Sequence, residues 1–299
     1  MAPHLRNIVP SLALLEHFTA QLTAVCALGC FAALALRLRI RATLAGVMTL
    51  WNLLAIAPFL DFTGLSAGAT AAPAQMPLKV LSLNLWVKNP DHGRTVDFLQ
   101  QSGADVIGLV EVTPSWLASL QSLETTYPYH LDCVIQVPHC GVAFYSKLPF
   151  QAGFAGRIGA RVPTAVTVTI DRGGKPLTLT EVQLTDPLKS GTEAQARQAD
   201  VLGDYLAAHA VHSGSGGQVV MGDFNSAPWS LLQDELRAKT GLDNSGRLAF
   251  SWPSWAPAIF RLPIDQIFVS DGVIIRDYRA GPAVGSDHLP IEAEIATKP

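Results

Sequence analysis

Two uncharged apolar runs open the chain, residues 18–36 and 42–60, each 19 residues long. As helices each rises about 30 Å, the hydrocarbon thickness of a bilayer. Neither shows an amphipathic stripe, so both read as membrane spans rather than as a buried hairpin of a soluble core. Arg37, Arg39 and Arg41 fill the connector. Arginines in a tight connector stay on the cytoplasmic side. The pattern therefore predicts a transmembrane helical hairpin over residues 1–60, with the C-terminal part exported. In a second reading, the arginines, the second run and Ala69-Thr70-Ala71 are the three parts of a cleavable signal peptide. That reading exports the same part of the chain, but the run is long for the role and a first span precedes it. Residues 61–78, rich in Gly, Ala, Pro, Ser and Thr, predict a flexible linker.

From residue 79 the pattern changes to short apolar runs separated by polar turns. Residues 79–86, 105–111, 141–146, 162–171, 176–184, 219–222 and 264–270 predict strands, and 273–278 and 289–295 predict two more. Gly173-Gly174 supplies a hairpin turn. Helices are predicted over 91–102, from Pro114 onward, and most clearly over 193–210. There is no internal repeat. Many strands with interspersed helices predict a layered α/β domain on a sheet sandwich, spanning residues 79–299.

Composition locates the apolar excess. The 299 residues are 49% hydrophobic and 15% charged, and residues 11–60 hold most of the surplus. Net charge is −3; without residues 1–61 the remainder carries 17 basic against 22 acidic side chains. A protein built to grip nucleic acid carries a basic footprint, so this balance argues against a nuclease. Cys26 and Cys30 share one face of the first apolar helix. Cys133 and Cys140 flank a short segment and predict a disulfide in an oxidising compartment.

Four motifs place a polar group at the end of an apolar strand: Leu-Ser-Leu-Asn84, Gly-Leu-Val-Glu111, Met-Gly-Asp223-Phe-Asn225 and Gly-Ser-Asp287-His288. A fifth, Pro-Ile-Asp265, puts an acid at a strand start. Carboxylates at strand ends converge on one sheet edge, and hard oxygen ligands suit Mg²⁺ or Mn²⁺. An Asp-x-Asn pair on one strand is expected to point both side chains to the same face. Each motif alone also fits an ordinary turn or cap; their order and spacing carry the reading.

In this order the motifs resemble the endonuclease/exonuclease/phosphatase superfamily over residues 79–296. That superfamily includes pancreatic-type deoxyribonucleases, apurinic endonucleases, neutral sphingomyelinases and inositol polyphosphate phosphatases. With its N-terminal membrane segment the chain looks like a bacterial branch, which implies an inner-membrane protein with a periplasmic or extracellular catalytic domain, acting as a monomer. The resemblance implies a four-layered α/β sandwich, a Mg²⁺ or Mn²⁺ cofactor and a phosphoester substrate. Carried over, Glu111 would be the principal metal ligand, with Asn84 beside it and Asp287 on the metal side. Asp223 would orient or deprotonate the attacking water, and Asn225 would bind a phosphoryl oxygen. His288 would polarise the phosphate, buttressed by Asp265.

One position departs from the pattern. Several branches carry a histidine near the leaving group where this chain has Gln183. An amide donates a hydrogen bond but is no efficient proton donor. The departure keeps a non-catalytic exported binding domain in view as an alternative. The aromatic, proline-rich stretch 250–260 reads as a lining of the substrate mouth, as a contact with the bilayer interface, or equally as a covering loop packed on the sheet. Arg157, Arg161 and Arg261 read as surface residues more readily than as phosphate ligands. His130, His139, His209 and His212 fit no metal-ligand spacing.

Overall fold

The computed structural model describes residues 13–59, 76–159, 163–209, 216–244 and 246–297. A short helix α1 (Ala13–Glu16) leads into α2 (Thr19–Ala35) and α3 (Arg39–Ile56). These two pack side by side, with Cys30 Sγ donating to Ala42 O at 3.3 Å. Arg37, in the left-handed region at φ 59°, turns the chain between them. Val25, Leu28, Phe31, Leu44, Val47 and Leu54 point outward and are exposed. The segment Arg39–Phe59, at 21 residues, is long and apolar enough to cross a membrane. The first helix, at 17 residues, is one residue shorter than its apolar run at each end. Residues 60–75, which hold Ala69-Thr70-Ala71 and most of the expected linker, lie outside the described residues, and Leu78 already belongs to a strand.

Eleven strands follow among the described residues: β1 (Leu78–Asn84), β2 (Val106–Val110), β3 (Tyr129–Asp132), β4 (Val142–Ser146), β5 (Phe150–Arg157), β6 (Thr164–Asp171), β7 (Pro176–Gln183), β8 (Gly217–Asp223), β9 (Asp265–Val269), β10 (Val273–Ala280) and β11 (Ile291–Thr297). They form two sheets, β10-β11-β1-β2-β4-β3 and β5-β6-β7-β8-β9. The pairs β1/β2 and β7/β8 are parallel and the other pairs antiparallel. A parallel pair needs a crossover, supplied by α4 (His92–Gln101) and by α6 (Pro187–Ser190) with α7 (Thr192–Ala208). Helices α5 (Pro114–Leu120) and α8 (Leu231–Thr240) complete the outer layers. Pro114 opens α5 as expected, and the Thr113 hydroxyl accepts from Trp116 N at 3.1 Å.

Period-two alternation sorts the side chains into three layers of contact. Leu78 and Val80 of β1 face the other sheet, packing with Phe144, Val168, Leu179 and Met221. Leu81 and Leu83 face the opposite way, onto Leu99 and Trp116. On the far side Val182, Val220 and Phe268 pack on Leu202 and Leu236. The result is helix, sheet, sheet, helix: the four-layered α/β sandwich expected.

Strands β3 and β5 and helix α8 are absent from the sequence reading. β3 has four residues at a sheet edge, and β5 carries Gly153 and Gly156 with a largely exposed pattern, so neither shows an apolar alternation. The disulfide joins Cys133 to Cys140, both buried, with Cα atoms 5.6 Å apart.

Candidate active site

The rows of side chains that face inward between the sheets turn polar at one end. β1 runs Leu78, Val80, Ser82, Asn84; β7 runs Leu177, Leu179, Glu181, Gln183; β8 runs Val219, Met221, Asp223. β9 is antiparallel to β8 and starts at Asp265, opposite Asp223. The carboxyl ends of three parallel-paired strands and the start of a fourth therefore meet at one edge of the sandwich. Gly222 permits the approach of β8 to β7: at φ 136°, a Cβ there would lie 1.9 Å from Val182 O.

Glu111 follows β2. By strict alternation it would go outward with Ile107 and Leu109. Its left-handed backbone, φ 59°, breaks the alternation and brings its carboxylate to Asn84. Trp86 and Asn225 also hold left-handed backbones, at φ 60° and 48°. Such conformations are uncommon outside glycine and cluster at functional sites.

Asn84 is the hub. Its Nδ2 donates to Glu111 Oε1 at 3.0 Å and to Asp223 Oδ2 at 3.1 Å, and it lies 3.4 Å from His288 Nε2. Glu111 also accepts from Gln183 Nε2 at 3.0 Å and from Val87 N at 2.8 Å. His288 Nδ1 donates to Asp265 Oδ2 at 2.8 Å, and the Ser251 hydroxyl donates to the same oxygen. Ser286 Oγ donates to Asn84 O and accepts from His288 N, joining the last motif to the first.

Asn225 departs from the expected placement. It lies beyond the end of β8 and turns back: its Nδ2 donates to Asp223 Oδ2 at 3.1 Å and to Leu184 O at 2.9 Å, and its N donates to Asp223 Oδ1 at 2.8 Å. The left-handed backbone, not strand alternation, brings Asn225 to the site, and its amide orients Asp223.

The electrostatics follow from burial. Burial raises the pKa of Asp223 to about 7, against the opposing pull of His288. Burial alone would lower His288, but Asp265 and Asp223 outweigh it and raise its pKa, which favours the imidazolium. Burial also raises Asp287, and the nearby Glu111 carboxylate adds to this. Asp287 Oδ1 is buried without a hydrogen-bond partner among the described residues. The His288 ring, Nε2 at 4.0 Å, is the charged neighbour of that oxygen and opposes the rise. Two carboxylates this close still repel one another unless a cation joins them, so Glu111 and Asp287 fit a divalent ion. Asp223, Asp265 and His288 also place potential ligand atoms within 4.8 Å of one another. There, however, Asp265 Oδ2 is already held by His288 and Ser251 and His288 is favoured in its charged form, so this trio suits proton and phosphate handling better than metal.

The endonuclease/exonuclease/phosphatase family model matches residues 81–288. The chain belongs to the endonuclease/exonuclease/phosphatase family. Its members are generally hydrolases of phosphoesters and use divalent metals. A Bacteroides vulgatus family member superposes with TM-score 0.62 at 18% identity, over 75% of this chain and 100% of its own. Staphylococcus aureus beta toxin with bound magnesium ions gives 0.58 at 15%, over 74% and 100%. A humanized D. rerio TDP2 gives 0.58 at 16%, over 74% and 99%. At these identities the likeness is one of fold. No curated protein matches the chain.

Sequence reasoning missed Ser251, Ser286 and Glu181. Ser286 stood inside a quoted motif, and Glu181 carried a signal as the one acid in the apolar row of β7. Arg261 is occupied with its own loop, donating to Ala256 O and Ser254 O. Arg157 donates to Pro138 O, while Arg161 and His212 lie outside the described residues.

Proposed function

We propose that the chain is a divalent-metal-dependent phosphoester hydrolase, with residues 79–299 as catalytic domain, residues 1–60 as a membrane hairpin and 61–78 as the link. The domain faces away from the arginine side of the membrane and acts as a monomer. The observation that carries the reading is the pair of carboxylates Glu111 and Asp287, the latter with a buried oxygen that makes no hydrogen bond and has His288 Nε2 4.0 Å away, at the same strand edge as Asp223.

Glu111 and Asp287 would hold Mg²⁺ or Mn²⁺, with Asn84 at the edge of the ion's shell. When bound, the ion supplies Lewis acidity and charge neutralisation at the phosphoryl group. Asp223, its carboxylate fixed by Asn84 and Asn225, takes the proton of the attacking water. His288, kept charged by Asp265, donates from Nε2 to a phosphoryl oxygen and stabilises the charge that builds there. Gln183 donates to Glu111 and fixes it. The acidic balance of the domain disfavours a nucleic-acid substrate.

The test is release of p-nitrophenol from bis(p-nitrophenyl) phosphate by the full chain in detergent. Release should require Mg²⁺ or Mn²⁺, stop with EDTA, and vanish in Glu111→Ala. Metal-independent release, or full activity in Glu111→Ala, would refute the mechanism. Metal binding without turnover would favour the non-catalytic alternative that Gln183 keeps open. A C-terminal reporter that works only after export should be active; activity of a cytoplasm-only reporter there would rule the topology out.

A further inference from the structure

The base of the hairpin is fastened to the loops that form the active site. Trp229 Nε1 donates to Glu16 O at 2.7 Å, and Leu231 N donates to Glu16 Oε2 at 3.1 Å. Ala227 N, two residues beyond Asn225, donates to His17 Nδ1 at 3.1 Å. Burial lowers His17 to a pKa of about 4, so it remains the neutral acceptor this contact needs. Gln21 Nε2 donates to Arg261 O at 3.0 Å. From the other end of the hairpin, Ile56 and Phe59 pack on Ala227 and Trp229, and the Arg237 guanidinium sits 5.2 Å from the Phe59 ring.

These contacts set the distance between catalytic cleft and membrane. A cleft of about 890 Å³ contains Glu111, Asp223, Asp287 and His288, and its wall includes Leu14 and Phe18 at the foot of the hairpin. Leu188 lines the same cleft and is 72% exposed. In the loop that Gln21 grips, Trp255, Ile259 and Phe260 are 81%, 74% and 60% exposed. The two ends of that loop, Trp252 and Leu262, line the cleft, and large apolar side chains that open to water on the loop are costly unless another apolar phase covers them. Here they stand beside the point where the hairpin leaves the domain, and tryptophan favours the membrane–water interface. Lys88 lies on the cleft wall and suits an anionic headgroup; Lys189 on the same wall is paired with Asp186 at 3.3 Å.

We infer that the substrate is a phosphoester lipid of the same bilayer that holds the hairpin, its headgroup entering the cleft between Phe18 and the base of the 252–262 loop. The inference rests on the phosphoesterase and membrane-hairpin readings above and names their substrate class. In the reaction the water oxygen bonds to phosphorus and the P–O bond to the departing alcohol breaks. Of the two water protons, one goes to Asp223 and is then lost to solvent; the other stays on the product phosphate or is released, and the departing alkoxide takes a proton from water.

The test uses the full chain reconstituted in phosphatidylcholine vesicles that also carry phosphatidylethanolamine, phosphatidylglycerol and phosphatidic acid. Protein-free vesicles of the same composition, distinguishably labelled, are mixed in. The aryl diester serves as soluble reference. With Mg²⁺ present, at least one lipid of the host vesicle should lose headgroup or phosphate. Lipid in the protein-free vesicles and the matching water-soluble glycerophospho compound should react roughly 100-fold more slowly or worse, because they lack the effective concentration of a shared surface. The triple variant Trp255→Ser, Ile259→Ser, Phe260→Ser should lower lipid hydrolysis about ten-fold or more and leave aryl diester hydrolysis within about two-fold, since it removes apolar area from the exposed loop and none from the cleft lining. Hydrolysis of the aryl diester with no release from any host lipid overturns this inference and spares the phosphoesterase reading. Equal rates on host-vesicle lipid and soluble headgroup also overturn it. Failure of both lipid and aryl diester removes the phosphoesterase reading and this inference with it.

Discussion

Ser82 Oγ donates to Glu181 Oε1 at 2.6 Å and so ties β1 to β7 inside the sandwich, one pleat below Asn84 and Gln183. Glu181 is fully buried, and its Oε2 has no partner among the described residues. Gly108 makes the room: a Cβ there would lie 2.0 Å from Oε2. Burial pushes the Glu181 pKa well above the usual carboxylate range, the Ser82 hydrogen bond opposes this, and Asp265 and Asp223 push it higher. A carboxyl whose pKa is raised by folding supports the fold fully below its unfolded value and loses that support as pH rises toward its folded value. The loss is at most about 1.4 kcal/mol per pH unit. Glu181→Gln keeps an acceptor for Ser82 and cannot ionise. Its Tm should exceed that of the parent chain at pH 8 by clearly more than at pH 5. A gain independent of pH, or a lower Tm at pH 8, would show that Glu181 is not held neutral by its surroundings.

Asp223 acts as a base only when ionised, and burial raises its pKa to about 7. At saturating Mg²⁺, kcat/KM should therefore fall as pH drops through that value. The amide of Asn84 is among the groups that lower Asp223. Asn84→Ala removes that donor, so the acid limb should move to higher pH, with kcat reduced by about 10²-fold or more from the lost positioning. A limb that stays in place or moves to lower pH would detach Asn84 from the control of Asp223.

The strand-end positions were legible because chemistry and pattern coincide there. Asn84, Asp223 and Asp265 each terminate or open an apolar run, and two-residue alternation is enough to put them on one inner face. Glu111 was found for its motif, although alternation alone points it the wrong way; the left-handed backbone that corrects it leaves no mark in a non-glycine sequence. Asn225 was expected to share a face with Asp223 by alternation and arrives instead by a backbone turn. Ser251 reaches Asp265 through a loop, and loops carry no period. The docking of Glu16, His17 and Gln21 onto residues more than two hundred positions away is a tertiary fact without local signal. The hairpin itself was visible as two apolar runs; its seat beside the cleft was not.

Asp287 should trade stability for metal binding. Its buried Oδ1 makes no hydrogen bond, and burial and the Glu111 carboxylate disfavour its charge, with the His288 ring 4.0 Å away opposing them. Without metal, Asp287→Asn should match or exceed the parent Tm. With Mg²⁺ at about 100 times Kd the parent should gain about 2.7 kcal/mol, read as a rise in Tm, while Asp287→Asn and Glu111→Gln should gain little. Thermal melts with and without the ion check this apart from any turnover. An equal Mg²⁺-induced rise in all three proteins would place the ion elsewhere, the trio of Asp223, Asp265 and His288 being the first place to look.

Gln183 ends β7 in register with Asp223, and its amide donates to Glu111 Oε1 at 3.0 Å. It therefore sits within the site, where it orients a carboxylate but offers no titrating proton. Esters with activated leaving groups depart without protonation, so aryl phosphodiesters should be cleaved far better than alkyl ones. Gln183→His places a titrating donor beside Glu111, whose negative charge favours the imidazolium near neutral pH. If the leaving group departs on this side, turnover of alkyl esters should rise by about 10-fold or more, within the range usual for general acid help, while aryl esters change little. An alkaline limb should appear in the rate profile for alkyl esters alone, as the new histidine loses its proton. Two controls separate proton donation from altered geometry. Gln183→Asn shortens the amide and loosens Glu111 without adding a proton, so it should depress both ester classes together. Mg²⁺ affinity, read by thermal shift, should fall in Gln183→Asn and hold within a few-fold in Gln183→His. Equal effects of Gln183→His on alkyl and aryl esters, with no new limb, would mean that the leaving group departs elsewhere and that Gln183 serves only to hold Glu111.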